Sequence, residues 1–321
     1  MNTNLFLFGA CDLFDAVHGY YKLVNGKYFN VYEKYHNSYK DKLKFTIDSR
    51  PKYSTSLESI YTPPGPIAAR VHESLYGRND LKPHHYQIYS EITKYPYINY
   101  YQQNARSGDI LALNFSFEFF TKAKIGKEVF SIFPTMTNIR YHDDPLNWLW
   151  KEYLIHDKYH VYFDAEENAD VTYQCIIDFV KDLIPIFNDR IICVSTNLTN
   201  LAMFPRTKQI LKIPQVDLNL CPFYRSTRII NDTTNYESAA KVLNANFYNR
   251  IISKKLKINL STVDYQGNCF MDLEHPDGIT PFHLVKDNCR EKGYLIFSEA
   301  IRLDKLYKEN SLQQSNNLII I

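Results

Sequence analysis

Leu5-Phe6-Leu7-Phe8 is an unbroken apolar run closed by Gly9, the pattern of a short buried strand that enters a tight turn. Directly after it, Leu13, Phe14 and Val17 fall at helical spacing, which predicts a helix from Asp12 to about Tyr21. Asp109 to Phe115 follows the Ser107-Gly108 breaker and is apolar enough for a strand buried on both faces, its carboxyl end near Asn114 to Ser116. Val171, Cys175, Ile176, Phe179, Val180, Leu183 and Ile184 trace one face of a helix over 170–184 that Pro185 is predicted to end. Ile191-Ile192-Cys193-Val194 then supplies another strand. The unit repeats: Ala239, Ala240, Leu243, Phe247, Ile251 and Ile252 step as a helix ahead of a strand over 256–263, and a last helix is predicted from about Phe282 to Phe297.

Strands that alternate with helices of this length predict an α/β fold, a three-layer α/β/α sandwich around a mostly parallel sheet. One domain over 1–321 is expected, with two irregular insertions at approximately 22–84 and 117–165 where no periodicity is sustained. In such sheets ligands bind beyond the carboxyl ends of the strands. Three segments fall there: 9–12, 114–118 and the stretch after Asp264.

Composition narrows the function classes. Lys plus Arg number 37 against 35 Asp plus Glu, a net charge of +2, so no concentrated basic face for nucleic acid is expected. No apolar run approaches the roughly 18 residues that span a bilayer, and no basic, then apolar, then small-residue leader follows Met1, so a cytoplasmic location is the expectation. The 26 Tyr and 20 Phe are unusual, and a Tyr-rich surface between Tyr20 and Tyr101 could stack against carbohydrate. Six cysteines are spread widely with no Cys-x-x-Cys pair, and five of them, Cys175, Cys193, Cys221, Cys269 and Cys289, read as small buried apolar residues. His84-His85 and His142-Asp143-Asp144 lack a metal-ligand spacing and read as solvated loop residues; no metal and no phosphate-loop motif is expected.

Cys11 stands apart by its place. It lies where the first strand turns into the first helix, so the helix dipole and unpaired backbone N–H groups would favour its thiolate and could hold an oxyanion. Asp272-Leu273-Glu274-His275-Pro276-Asp277-Gly278 lies after the last strand, where Asp272 could orient the His275 imidazole toward a nucleophile. His283 is an alternative base eight residues on.

These two blocks resemble the SGNH, or GDSL-type, hydrolase superfamily, whose first block is an apolar strand with Gly-Asp-Ser and whose last is Asp-x-x-His-Pro with a nearby Gly. Here they read Leu5-Phe6-Leu7-Phe8-Gly9-Ala10-Cys11 and Asp272-Leu273-Glu274-His275-Pro276-Asp277-Gly278, with Cys in the nucleophile position. A Gly-x-Cys opening, and the Gly278-Ile279-Thr280-Pro281-Phe282-His283 segment, are similar to SGNH-like proteins of bacterial capsule and surface-polysaccharide biosynthesis. The resemblance implies an SGNH- or flavodoxin-like sheet and acyl transfer, as O-acetyltransferase or esterase, on a glycan or surface-polysaccharide precursor. It implies Cys11 as nucleophile, His275 as base, Asp272 as its carboxylate, and an oxyanion hole from the Cys11 N–H with Asn114 or Ser116. The superfamily's Gly-x-Asn-Asp block reads Leu113-Asn114-Phe115-Ser116 here, and for its middle glycine Gly65 and Gly77 are the candidates. No bound cofactor is expected; acyl-coenzyme A suits a thiol nucleophile as acyl donor, because exchange then runs between thioesters. The alternative is a catalytically inactive carbohydrate-binding or assembly protein on the same fold.

Overall fold

The structure, a computed structural model, describes residues 3–9, 11–25, 43–49, 57–82, 85, 88–89, 92, 97–115, 122–130, 139, 141–154, 156, 160–162, 169–197, 199–212, 260–275 and 283–318. At its centre is a five-stranded sheet. Strands β1 (Thr3–Phe8), β2 (Phe45–Asp48), β3 (Ile110–Leu113), β7 (Ile191–Val194) and β10 (Ser261–Val263) lie in the order β10-β7-β3-β1-β2, and every neighbouring pair is parallel. The chain builds the sheet outward in one direction from β1 to β2 and in the other through β3, β7 and β10. The strand order therefore reverses between β1 and β3, which is where a crevice opens at the carboxyl ends of such a sheet.

Side chains alternate along each strand, so successive residues belong to different cores. Phe6, Phe8, Leu111, Leu113, Ile191 and Cys193 point one way, against Tyr97 and Tyr101 of α4 (Tyr97–Asn104) and Ile176, Phe179, Val180 and Leu183 of α5 (Ala169–Phe187). The ring centroids of Phe8 and Phe179 are 4.5 Å apart. Leu5, Leu7, Ile110, Ala112, Ile192 and Val194 point the other way, against Leu13, Ala16, Val17 and Tyr20 of α1 (Cys11–Asn25) and Ile296, Phe297, Ala300 and Leu303 of α6 (Lys286–Leu318). The runs over 5–8 and 191–194 are apolar throughout because both of their faces are covered.

Several sequence expectations shift. The stretch over 22–84 is not wholly an insertion: it completes α1, carries α2 (Leu57–Tyr61) and α3 (Pro66–Leu75), and supplies β2, the edge of the central sheet. β2 escapes the apolar pattern because it is four residues long and its Thr46 is exposed. Pro185 does not end α5, which runs to Phe187; Asn188, at φ 54°, ends it in the left-handed conformation, its N–H donating to the Ile184 carbonyl. The last helix begins later than expected, at Lys286, and extends to Leu318, since no Gly or Pro follows Gly293 to stop it. Of the predicted 256–263 strand, 261–263 is seen; 256–259 and the predicted helix over 239–252 lie outside the described residues.

Two small sheets flank the main one. Within 117–165, β4 (Lys122–Ile125), β5 (Glu128–Phe130) and β6 (His160–Tyr162) form an antiparallel sheet, its β4–β5 turn made at Gly126, φ 63°. β8 (Leu201–Met203), β9 (Ile210–Lys212) and β11 (Met271–Asp272) form the other, in the order β11-β8-β9. The second holds the loop that carries His275. No helix among the described residues is long and apolar enough to cross a membrane.

Candidate active site

The chain leaves β1 at Phe8, turns at Gly9 and enters α1 at Cys11. A Cβ on Gly9 would lie 2.3 Å from Asn114 Oδ1 and 2.8 Å from Leu13 Cδ2, so only glycine lets the Asn114 side chain fold against this turn. The Asn114 N–H donates to the Phe8 carbonyl at 2.8 Å, which joins the carboxyl ends of β1 and β3. Asn114 Nδ2 is 2.9 Å from each oxygen of Asp12. Lys292, on α6, reaches the same carboxylate: its Nζ donates to Asp12 Oδ2 and to the Ser195 carbonyl, each at 2.9 Å. The Ser195 N–H in turn donates to the Val263 carbonyl at 2.8 Å. Asp12, Asn114 and Lys292 are all fully buried. One hydrogen-bonded network thus ties the carboxyl ends of β1, β3, β7 and β10 to the last helix. A charge this deep persists only when paired and hydrogen-bonded, and this carboxylate and this ammonium are both.

Beside the network lies a second group. Asp272 ends β11; its N–H donates to the His283 carbonyl at 2.8 Å, and the His275 N–H donates to the Asp272 carbonyl at 3.3 Å. These bonds bring His275 and His283 together, with ring centroids 3.9 Å apart and planes inclined by 20°. His283 is buried. His275 turns its Nε2 toward α1, 3.5 Å from Asp15 Oδ2, and retains 13% side-chain exposure. Asp15 is one helical turn after Cys11, so the two residues share a face of α1.

The surrounding thiols are quiet. Burial pushes the Cys289 thiol, on the first turn of α6, well above the usual range; the charges of Asp15 and Asp12 push the same way, and Lys292 opposes them. Burial alone does the same to Cys193 in β7.

The sequence-predicted residues separate accordingly. Cys11 opens α1, while its side chain, Ser116 and the 276–282 segment lie outside the described residues. His275 is brought to the first turns of α1, and His283 stacks behind it. Asn114 was expected as an oxyanion donor, but it is fully buried with its amide on Asp12, so it braces the turn. Asp272 was expected to orient His275; its carboxylate instead accepts the Glu274 N–H at 2.8 Å and closes its own turn. The carboxylate within ion-pair distance of the imidazole is Asp15.

His85 and Asp144, read as solvated, are buried together with His85 Nε2 3.0 Å from Asp144 Oδ2. The Lys82 N–H donates to His85 Nδ1 at 3.0 Å, so the ring proton sits on Nε2 and is donated to the carboxylate. That pair braces the loop over 141–147, where Asp144 Oδ1 also accepts the Leu146 N–H. His142 and Asp143 are exposed, as read, and His84 lies outside the described residues.

Asp12, Asp15 and Lys292 were not singled out from the sequence. The signal for Lys292 is positional: Val285, Cys289, Ile296, Ala300 and Leu303 are buried along one stripe of α6 or its approach, and Lys292 occupies the step between Cys289 and Ile296. Among the described residues, no three His, Cys, Asp or Glu side chains group as a metal ion would need. Compared with protein-family models, with curated proteins and with solved structures, the chain finds no match in any of the three.

Proposed function

We propose that this protein is an SGNH-like acyltransferase or esterase of the cytoplasm, built on a three-layer α/β/α sandwich, that acts on a glycan or surface-polysaccharide precursor. The observation that carries the reading is the approach of His275 to the N-terminal turns of α1, with Nε2 3.5 Å from Asp15 and Cys11 one turn away, beside the β1/β3 reversal of strand order. The bond made first is from the Cys11 sulfur to an acyl carbonyl carbon. The thiol proton passes to His275, which hands it to the leaving group as the carbonyl re-forms. Water or a sugar hydroxyl then gives its proton to His275 and attacks the thioester, and His275 returns that proton to the departing Cys11 sulfur. Backbone N–H groups in the first turn of a helix have no partner within it and suit the oxyanion. Acyl-coenzyme A fits as donor because one thioester is exchanged for another.

The test is alkylation by iodoacetamide from about pH 5 to about pH 10, with each cysteine followed by mass spectrometry. Cys11 is expected to react near neutral pH about tenfold faster than an ordinary thiol, and His275→Ala to remove most of that advantage. Cys193 and Cys289, held protonated by burial, are expected to stay unmodified while the protein is folded. A Cys11 that is inert, or indifferent to His275, ends the acyl-transfer reading. The non-catalytic alternative then draws on Tyr76, 70% exposed, whose ring stacks at 5.2 Å on His72, itself stacked at 5.4 Å on Tyr89. A ring held flat on one side and open on the other suits a sugar face, and that reading requires glycan binding to survive Cys11→Ala and fall with Tyr76→Ala.

A further inference from the structure

We infer that Asp15, rather than Asp272, is the carboxylate that positions the His275 imidazole. The inference rests on the reading of His275 as the base and changes the residue that serves it. Asp15 Oδ2 is buried and makes no hydrogen bond, although the side chain as a whole is 39% exposed. A carboxylate oxygen shut away from water without a donor is unfavourable, and the ring nitrogen closest to satisfying it is His275 Nε2, at 3.5 Å. A shift of a few tenths of an ångström makes that contact a hydrogen bond.

Among the described residues, the other charged and titratable groups around the ring are committed elsewhere. Asp272 accepts the Glu274 amide. Glu274 pairs with Arg206 at 3.2 Å. Asp12 is held by Asn114 and Lys292, and Cys289 is a neutral thiol. His283 lies against the face of the ring, so it sets the plane in which the nitrogens point without competing along the in-plane direction to Asp15. Asp15 also rides on α1, whose apolar face is packed on the sheet, whereas Asp272 belongs to a two-residue strand. The carboxylate and the nucleophile position are therefore carried on one rigid element, and the loop supplies only the imidazole. Asp15 holds the ring against the face of α1 that carries Cys11 and favours the imidazolium formed when His275 takes a proton.

The experiment follows the His275 ring carbon-bound proton by NMR through a pH titration, its resonance identified by loss in His275→Ala. In Asp15→Asn the imidazolium loses its counter-charge, so the midpoint is expected to fall by about one pH unit. Asp15→Glu is expected to restore part of that shift, and Asp272→Asn to move the midpoint by less than about 0.3 unit. Because Asp15 is partly exposed, its substitution leaves the core intact, which far-UV circular dichroism checks. An unmoved midpoint in Asp15→Asn overturns the inference, as does an equal shift in Asp272→Asn. This titration does not depend on Cys11, so its failure is distinct from an unreactive thiol, which would sink the acyl-transfer reading alone.

Discussion

Lys292→Met is expected to lower the unfolding free energy by about 3–5 kcal/mol, read from the urea midpoint, and adding Asp12→Asn is expected to recover more than half of the loss. Met keeps an unbranched stem one heavy atom shorter than lysine's, so the variant removes the charge with little loss of packing. Without the ammonium, Asp12 remains fully buried with no cation on Oδ2, and the Ser195 carbonyl loses its donor. Both are the costly kind of change, in which one partner is removed and the other is left desolvated. Asparagine at position 12 removes the stranded charge while still offering a side-chain oxygen to Asn114. The double variant thus compares a paired charge with a neutral substitute, and such comparisons come out near balance. The coupling has a positive sign and exceeds what distant sites show. A loss below about 1 kcal/mol in the single variant would mean that water reaches Asp12, contrary to its burial.

That network explains why the site was only partly legible. The strands over 5–8 and 191–194 announce themselves because both faces are covered, so every residue is apolar. α5 is visible because its stripe is uninterrupted, and its end is misplaced because the helix runs two residues past Pro185 before Asn188 closes it. β2 is silent because an edge strand of four residues needs little apolar pattern. The places of Cys11 and His275 in the fold were legible: one at a strand-to-helix turn, the other after the last strand of the sheet.

Their supporting residues were not legible, for a physical reason. Asp12 and Asp15 sit in the first turns of a helix, where acidic residues are common because they favour the positive end of the dipole, so they carry no signal of their own. Their roles arise from partners at the far end of the chain, Lys292 and His275, and no local spacing encodes such a pairing. Asp272 shows the converse. Its three-residue spacing from His275 suggested a contact, but a short loop between them leaves the carboxylate nearer the Glu274 amide than the ring. Asn114 was found by its strand end, but that its amide turns onto Asp12 was not, since sequence does not reveal that Gly9 clears the space into which its side chain folds.

A close approach of α1 to α6 gives the second large effect. A Cβ on Gly293 would lie 2.2 Å from the Ala16 carbonyl oxygen and 2.6 Å from Tyr20 Cβ. The obstacle is backbone, which cannot turn aside as a side-chain tip can, so the helices must separate. In an open helix interior Gly→Ala adds about 1 kcal/mol of stability; here overpacking opposes it, and Gly293→Ala is expected to be net destabilising by about 3 kcal/mol. Gly19, in the middle of α1, is the control: nothing lies within 4 Å of its Cβ position, so Gly19→Ala is expected to stabilise by about 0.5–1 kcal/mol. The two substitutions are chemically identical and differ in sign only through the crossing. Lys292 immediately precedes Gly293, so a helix pushed outward also draws its ammonium off Asp12. Gly293→Ala introduced into Lys292→Met should therefore cost less than it does alone. If the two losses simply add, the crossing and the buried charge pair act independently, and the close approach of the helices is not what seats Lys292.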